Sequence, residues 1–147
     1  MHYTYQKDNF IITTDPATFN LDVLHSYLTR SYWRRGVPKD HVAKAINHSL
    51  GFGLFDEDEQ IGFARVVTDY ADFAYLSDVF VLEAYRGQGL GTWLIECVLA
   101  CPILQGLGRI ALDTRDAQGL YRKFGFEEAL LSRHMQLSIK RPWFISE

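Results

Sequence analysis

The residues best suited to chemistry are Arg86-Gly87-Gln88-Gly89-Leu90-Gly91, between an aromatic, β-branched run and an apolar stretch. Glycine has no Cβ, so glycines at 87, 89 and 91 let backbone N–H groups approach a ligand closely. The first N–H groups of a helix lack internal partners and carry partial positive charge, which makes such a turn a seat for phosphate. The competing reading is a glycine-rich turn that only caps the helix. A P-loop is excluded, because no Lys-Ser or Lys-Thr pair follows these glycines. A dinucleotide fingerprint runs G-x-G-x-x-G, whereas the order here is Arg86-x-x-Gly89-x-Gly91.

Three further groups can carry chemistry, each with a plain structural alternative. Tyr121 can donate a proton, since a phenol with its ordinary pKa of ~10 is protonated at neutral pH. It also lies on the stripe Ala117, Leu120, Tyr121, Phe124, whose helical spacing asks only for core packing. Asp78, partly buried beside the strand before the loop, can take a proton through water as a general base. Its alternative is a structural hydrogen-bond acceptor at a strand irregularity. Tyr32 and Trp33 can wall a cleft while Arg30, Arg34 and Arg35 receive an anionic group, or the aromatics pack and the arginines are solvated.

The elements that position these residues follow from periodicity. Phe73–Val81 reads as a strand, and Leu90, Trp93, Leu94, Cys97, Val98 and Cys101 share one helical face that Pro102 ends. Before them come a strand at Phe10–Thr13, a helix capped by Asn20 and a second helix opened by Pro38. A hairpin follows at Gly51–Phe55 and Ile61–Thr68, around the acidic turn 56–59. After the apolar helix the pattern predicts a strand at Arg109–Leu112, then a helix capped by Asp116 and ended by Gly125. Two final strands are expected at Phe126–Leu130 and Arg133–Ile139. Hairpin strands followed by strand-helix-strand units imply an α/β domain: a mixed, mostly antiparallel sheet of about seven strands with helices on both faces.

Length and composition set the outer limits. The 147 residues suit a single domain over 1–147, and 48% hydrophobic with 22% charged residues is a soluble globular balance. No apolar run reaches the roughly eighteen residues of a membrane span, and the polar start is not a signal peptide, so a cytoplasmic protein is expected. A net charge of −3 gives no general attraction to nucleic acid. Cys97 and Cys101, one turn apart on the apolar face, read as core thiols, with no metal site at ligand spacing.

The loop Arg86-x-x-Gly89-x-Gly91 resembles the Q/R-x-x-G-x-G/A motif of the GNAT superfamily of N-acetyltransferases. The segment Asp116 to Phe126 is similar to that family's A-x-x-L-Y-x-x-x-G-F, and the order of elements is also like the family's from Phe10 to Ile139. The resemblance implies that acetyl-CoA is the co-substrate, its pyrophosphate held by Arg86, Gly87, Gln88, Gly89, Leu90, Gly91 and Thr92. It implies that backbone at Val79, Phe80 and Val81 binds pantetheine and polarises the thioester carbonyl, and that Tyr121 protonates the departing thiolate. It places the acceptor beside the N-terminal helices, hence Tyr32, Trp33, Arg34 and Arg35. Family members often carry an Asn after the fifth strand that touches the cofactor; this chain has Asp113-Thr114-Arg115-Asp116 there.

The activity so implied is transfer of acetyl from acetyl-CoA to a primary amine on a small molecule or peptide. It proceeds by direct attack, since no Cys stands near the proposed chemistry. Neither metal, nucleic acid nor membrane is called for, and monomer or homodimer stays open. The rival is a non-catalytic acyl-CoA-binding or sensing module of the same fold.

Overall fold

A computed structural model describes residues 1–129 and 133–146 of the chain. Among them run β1 (Thr4–Lys7), β2 (Phe10–Thr13), α1 (Leu21–Leu28), α2 (Lys39–Asn47), β3 (Leu50–Asp56) and β4 (Glu59–Thr68). Then follow β5 (Phe73–Val81), α3 (Leu90–Ala100), β6 (Arg109–Ala111) and α4 (Gln118–Arg122). The six strands form one sheet in chain order, antiparallel from β1 to β5 and parallel between β5 and β6. The single parallel pair is the one joined through a helix, as a crossover requires.

Each face of the sheet is covered by a different group of helices. On one side Leu24 and Leu28 of α1 and Val42 of α2 pack with Phe63 and Phe80. On the other, Leu90, Leu94, Ile95 and Val98 of α3 meet Phe52, Leu54, Ile61 and Val66. Asn20 caps α1 by accepting from Val23 N, the bond its position predicts. Asp69 Oδ1 accepts from the N–H groups of Ala71, Asp72 and Phe73, which fixes the turn into β5. Among the described residues no helix is long and apolar enough to cross a membrane.

Three sequence expectations need correcting. The first strand is β1, not Phe10–Thr13: its mostly exposed, polar residues pair with β2 as a hairpin edge, and edge strands carry little hydrophobic signal. The two final strands are not formed among the described residues. Residues 126–129 and 133–139 are irregular, and Leu130 lies outside the described residues. The sheet therefore has six strands among the described residues rather than about seven. Finally, α4 is entered at Ala117, whose N–H donates to Thr114 Oγ1, so Asp116 is not its cap. Gly125, at φ 94°, does end the turn after that helix, with Phe126 N donating to Tyr121 O.

Candidate active site

β5 and β6 pair only over Phe73↔Arg109, Ala74↔Ile110 and Tyr75↔Ala111; β6 then ends while β5 runs on to Val81. The parting has a local cause. On its other edge β5 pairs Phe80 with Phe63 and Ser77 with Arg65, so Asp78 and Val79 stand opposite Ala64 alone. Such a β-bulge bends the strand that carries the extra residue. Asp78 takes φ 52° there, a left-handed conformation that Asp tolerates better than branched residues do. Beyond Tyr75 the β6-facing edge of β5 has no strand partner among the described residues, and an open cleft of about 820 Å3 occupies the gap. Val79, Phe80, Val81, Asp113 and Tyr121 are among its walls.

At the end of β5 the chain turns at once, with Leu82 N donating to Ile61 O at 2.7 Å. Gly87 and Gly89 then adopt φ 84° and 82°, the left-handed region where glycine carries no steric penalty. A Cβ built at either glycine meets nothing within 4 Å, and one at Gly91 meets only Val81 Cγ2 at 4.0 Å. The outer side of the loop is therefore an open cradle. α3 begins at its rim without a side-chain cap, so its first N–H groups have no helical partner. Arg86 folds back across the mouth, Nε donating to Val81 O at 3.0 Å and Nη2 to the Tyr27 hydroxyl at 2.9 Å. Open space, backbone donors and a cation together fit a pyrophosphate.

The predicted loop residues do not all play one part. Arg86 and Gly91 line the cleft, while Gly87, Gln88 and Gly89 are exposed on the turn beside it. Gln88 turns its amide back to Tyr85 O at 3.1 Å. Leu90 is buried in the core, so only its backbone can face a ligand, and Thr92 is not on the cleft wall.

Across the cleft, Tyr121 projects from α4 with 8% of its surface exposed, and its ring meets Phe126 edge-on at 5.7 Å. It belongs to the core cluster and to the cleft wall at once. Burial, with a smaller contribution from Tyr32, pushes its phenol up to about 12. The proton is held through the whole neutral and mildly alkaline range.

Asp78 has a different part from the one expected of a base. Its Oδ1 accepts from Trp33 Nε1 and Arg34 Nε, both at 2.9 Å, and its Oδ2 from Arg65 Nε at 2.7 Å. With its side chain 3% exposed and three donors converging on it, this carboxylate is the hub of an ion-pair network. The network ties the α1–α2 connection to the β5 bulge, which sets Trp33 against the cleft. Arg34 is accordingly buried in that network and absent from the cleft wall, whereas Tyr32, Trp33 and Arg35 line it. Arg115 closes the same corner, its guanidinium 3.9 Å above the Tyr32 ring and its N–H donating to the Tyr32 hydroxyl at 3.2 Å.

Two cleft residues carried no sequence signal. Tyr75 donates a hydrogen bond to Asp113, and burial first, then that bond, push the phenol up to about 12. Tyr27 lies flat on Phe80, the ring centroids 4.0 Å apart. Tyr75 and Asp113 are 38 residues apart in the chain, a separation no local pattern can bridge.

Residues 47–128 match the family model described as an acetyltransferase (GNAT) domain. A solved structure from Xanthomonas campestris pv. campestris, described as a GNAT-family acetyltransferase, matches at TM-score 0.86 and 40% identity, covering 92% of this chain and 96% of that one. A protein of Gibberella zeae named as an acetyltransferase is 29% identical over 142 residues, covering 81% of this chain and 79% of its own length. A structure from Clostridium acetobutylicum solved with acetyl-CoA shares the fold, at TM-score 0.62 and 14% identity over 94% of this chain and 96% of that one.

Proposed function

The chain belongs to the GNAT acetyltransferase family, and from that premise we propose that it moves acetyl from acetyl-CoA to a primary amine by direct attack. The observation that carries this reading is the cleft where β5 leaves β6, with the glycine cradle at one end and a buried, protonated Tyr121 on the facing wall. Acetyl-CoA, when bound, supplies an activated thioester. The backbone N–H groups at the start of α3 and Arg86 hold its pyrophosphate. The β5 edge at Val79–Val81 has no strand partner on its β6 side among the described residues, and its backbone there is where the pantetheine arm lies and the carbonyl is polarised.

The amine must reach the carbonyl without its extra proton. Tyr75, on the cleft wall and hydrogen-bonded to Asp113, offers an oxygen lone pair to the ammonium and a carboxylate behind it to take the proton. The C–N bond then forms, the C–S bond breaks, the thiolate takes the proton of Tyr121, and the phenolate so formed recovers a proton from the nitrogen as it becomes the neutral amide. A phenol at about 12 is a weak acid beside an ordinary thiol of ~8.5. Transfer is therefore driven by charge developing on sulfur beside the buried wall that holds Tyr121, where partial desolvation raises the proton affinity of the thiolate as well. Asp78 positions the wall and takes no proton. The cysteines take no part either: Cys97 and Cys101 are buried in the core, with burial pushing the Cys97 thiol up to about 11.

Tyr121 on the cleft wall counts against the non-catalytic alternative, for which core packing alone would account for the residue. The deciding assay is release of free thiol from acetyl-CoA across a panel of amines, alongside calorimetric titration of CoA. Thiol release that depends on the amine supports the proposal. Tight CoA binding with no release for any amine replaces the enzyme by a binding module.

A further inference from the structure

Behind the α1–α2 connection lies a second cavity of about 600 Å3, bounded by Trp33, Arg34, Arg65, Tyr75, Arg141 and Trp143 among others. Four cationic side chains, Arg34, Arg65, Lys140 and Arg141, line it, and no acidic side chain does among the described residues. Among the described residues the carboxylate bonded to Arg34 and Arg65 is Asp78, whose two oxygens already accept from Trp33, Arg34 and Arg65. One carboxylate therefore faces two buried guanidinium groups, with two further cations at the rim.

Buried charge is costly unless matched, so an excess of cations with one carboxylate between them is not a stabilising core motif. Arg34 bears this most directly. It is 7% exposed, its Nε is used on Asp78, and its Nη1 has no hydrogen-bond partner among the described residues. Burial lowers its pKa from the ordinary value; Asp78 opposes that shift, and Arg65 and Arg141 add to it. Arg65 is better satisfied, through Ser49 Oγ at 3.1 Å and a long contact to Ser77 Oγ at 3.5 Å. A compact oxyanion entering between them supplies the oxygen acceptors and the negative charge that the cluster lacks.

This cavity adjoins the cleft: Trp33, Tyr75 and Ser77 line both, so a ligand anchored in the second space lies against the wall that the cleft also uses. Two indoles, Trp33 and Trp143, flank the cations, and the Arg141 guanidinium lies 5.3 Å from the centroid of the Trp143 ring. A concave, aromatic-walled space of about 600 Å3 suits a compact anionic group.

We propose that this cavity seats the anionic end of the acceptor, so that the substrate class is a small primary amine bearing a carboxylate or a phosphate. The inference rests on the N-acetyltransferase reading above and adds its specificity. The geometry also reassigns Arg34: it recognises the acceptor from the second cavity and not from the cleft, in company with Arg65 and Arg141.

Three amines of similar length separate the possibilities: propylamine with no anion, β-alanine with a carboxylate, and O-phosphoethanolamine with a phosphate. Thiol release from acetyl-CoA is expected to give at least one anionic amine a kcat/KM ten-fold or more above that of propylamine. The preferred one identifies the anion. Arg141→Glu, at an exposed position away from the core network, is expected to lower that value ten- to hundred-fold and close the gap to propylamine. A second readout needs no turnover. Tryptophan fluorescence should respond saturably to inorganic phosphate or acetate at constant ionic strength, and the response should be lost in Arg141→Glu. Equal kcat/KM for all three amines, or a fluorescence response that is unsaturable or unchanged in the variant, overturns the proposal. If no amine releases thiol, the transferase reading falls, and the fluorescence titration alone decides the anion site.

Discussion

Placing one carboxylate at Gly91 separates the pyrophosphate cradle from a simple helix cap, because the two readings predict opposite outcomes. Gly91 is the second residue of α3, and a Cβ there meets only Val81 Cγ2 at 4.0 Å, so Gly91→Asp strains nothing. An acid in the first turn complements the helix dipole by about 0.3–1 kcal/mol, and removing a helical glycine adds up to about 1 kcal/mol. The ligand-free protein should therefore melt at the wild-type temperature or a few degrees higher. Binding should move the other way. A carboxylate roughly 6 Å from one pyrophosphate charge, at an effective dielectric near 20, is repelled by about 3 kcal/mol. That corresponds to roughly a hundred-fold weaker Kd for CoA by calorimetry. The difference should narrow as salt is raised, since the Debye length falls from about 30 Å at 0.01 M to about 3 Å at 1 M. Gly91→Asn, of similar volume without charge, should lose far less. If Gly91→Asp melts higher and still binds CoA within three-fold of wild type, the phosphates lie elsewhere and the loop is only a cap.

The remaining expectations concern Tyr121, Asp78 and the cysteines. Tyr121→Phe should keep its Kd for CoA and lose ~10²- to 10⁴-fold in kcat where thiolate departure limits the rate; an unchanged kcat returns Tyr121 to core packing. Because burial pushes that phenol up to about 12, and a general acid works only below its pKa, kcat should show no falling alkaline limb up to pH ~10. Asp78→Asn keeps a residue suited to the left-handed backbone at φ 52° but strands two buried arginines. The cost of about 3–5 kcal/mol should appear as a fall in Tm of roughly 6–20 °C; a variant with wild-type Tm and abolished kcat would restore Asp78 as the base. Cys97 and Cys101 are buried, with the Cys97 thiol pushed up to about 11, so a disulfide reagent should titrate both quickly in denaturant and slowly in the native protein. Fast native labelling at neutral pH would show that α3 opens.

By itself the sequence determined the strand-loop-helix at the heart of the site. Phe73–Val81, the glycines and the apolar face of α3 are local signals: alternation, absence of Cβ and helical spacing act within a few residues of one another. The same locality explains where pattern reading failed. β1 is polar because it is an edge, so its pairing with β2 is invisible to hydrophobic alternation. Met135, Leu137 and Ile139 alternate like a strand, yet they are 93%, 85% and 77% exposed, because alternation does not supply a partner edge. Arg34 and Arg35 are adjacent and alike in sequence, and nothing local says which one turns inward. Tertiary structure decided that, by bringing Asp78 within 2.9 Å of Arg34 from 44 residues away and Arg65 onto the same carboxylate across the β4–β5 pair. It also decided that Asp78 braces the cleft and that a second, cationic cavity opens behind Trp33. Charge pairing across long loops depends on where the sheet bends, and the bend exists only once β4 and β5 have paired out of register.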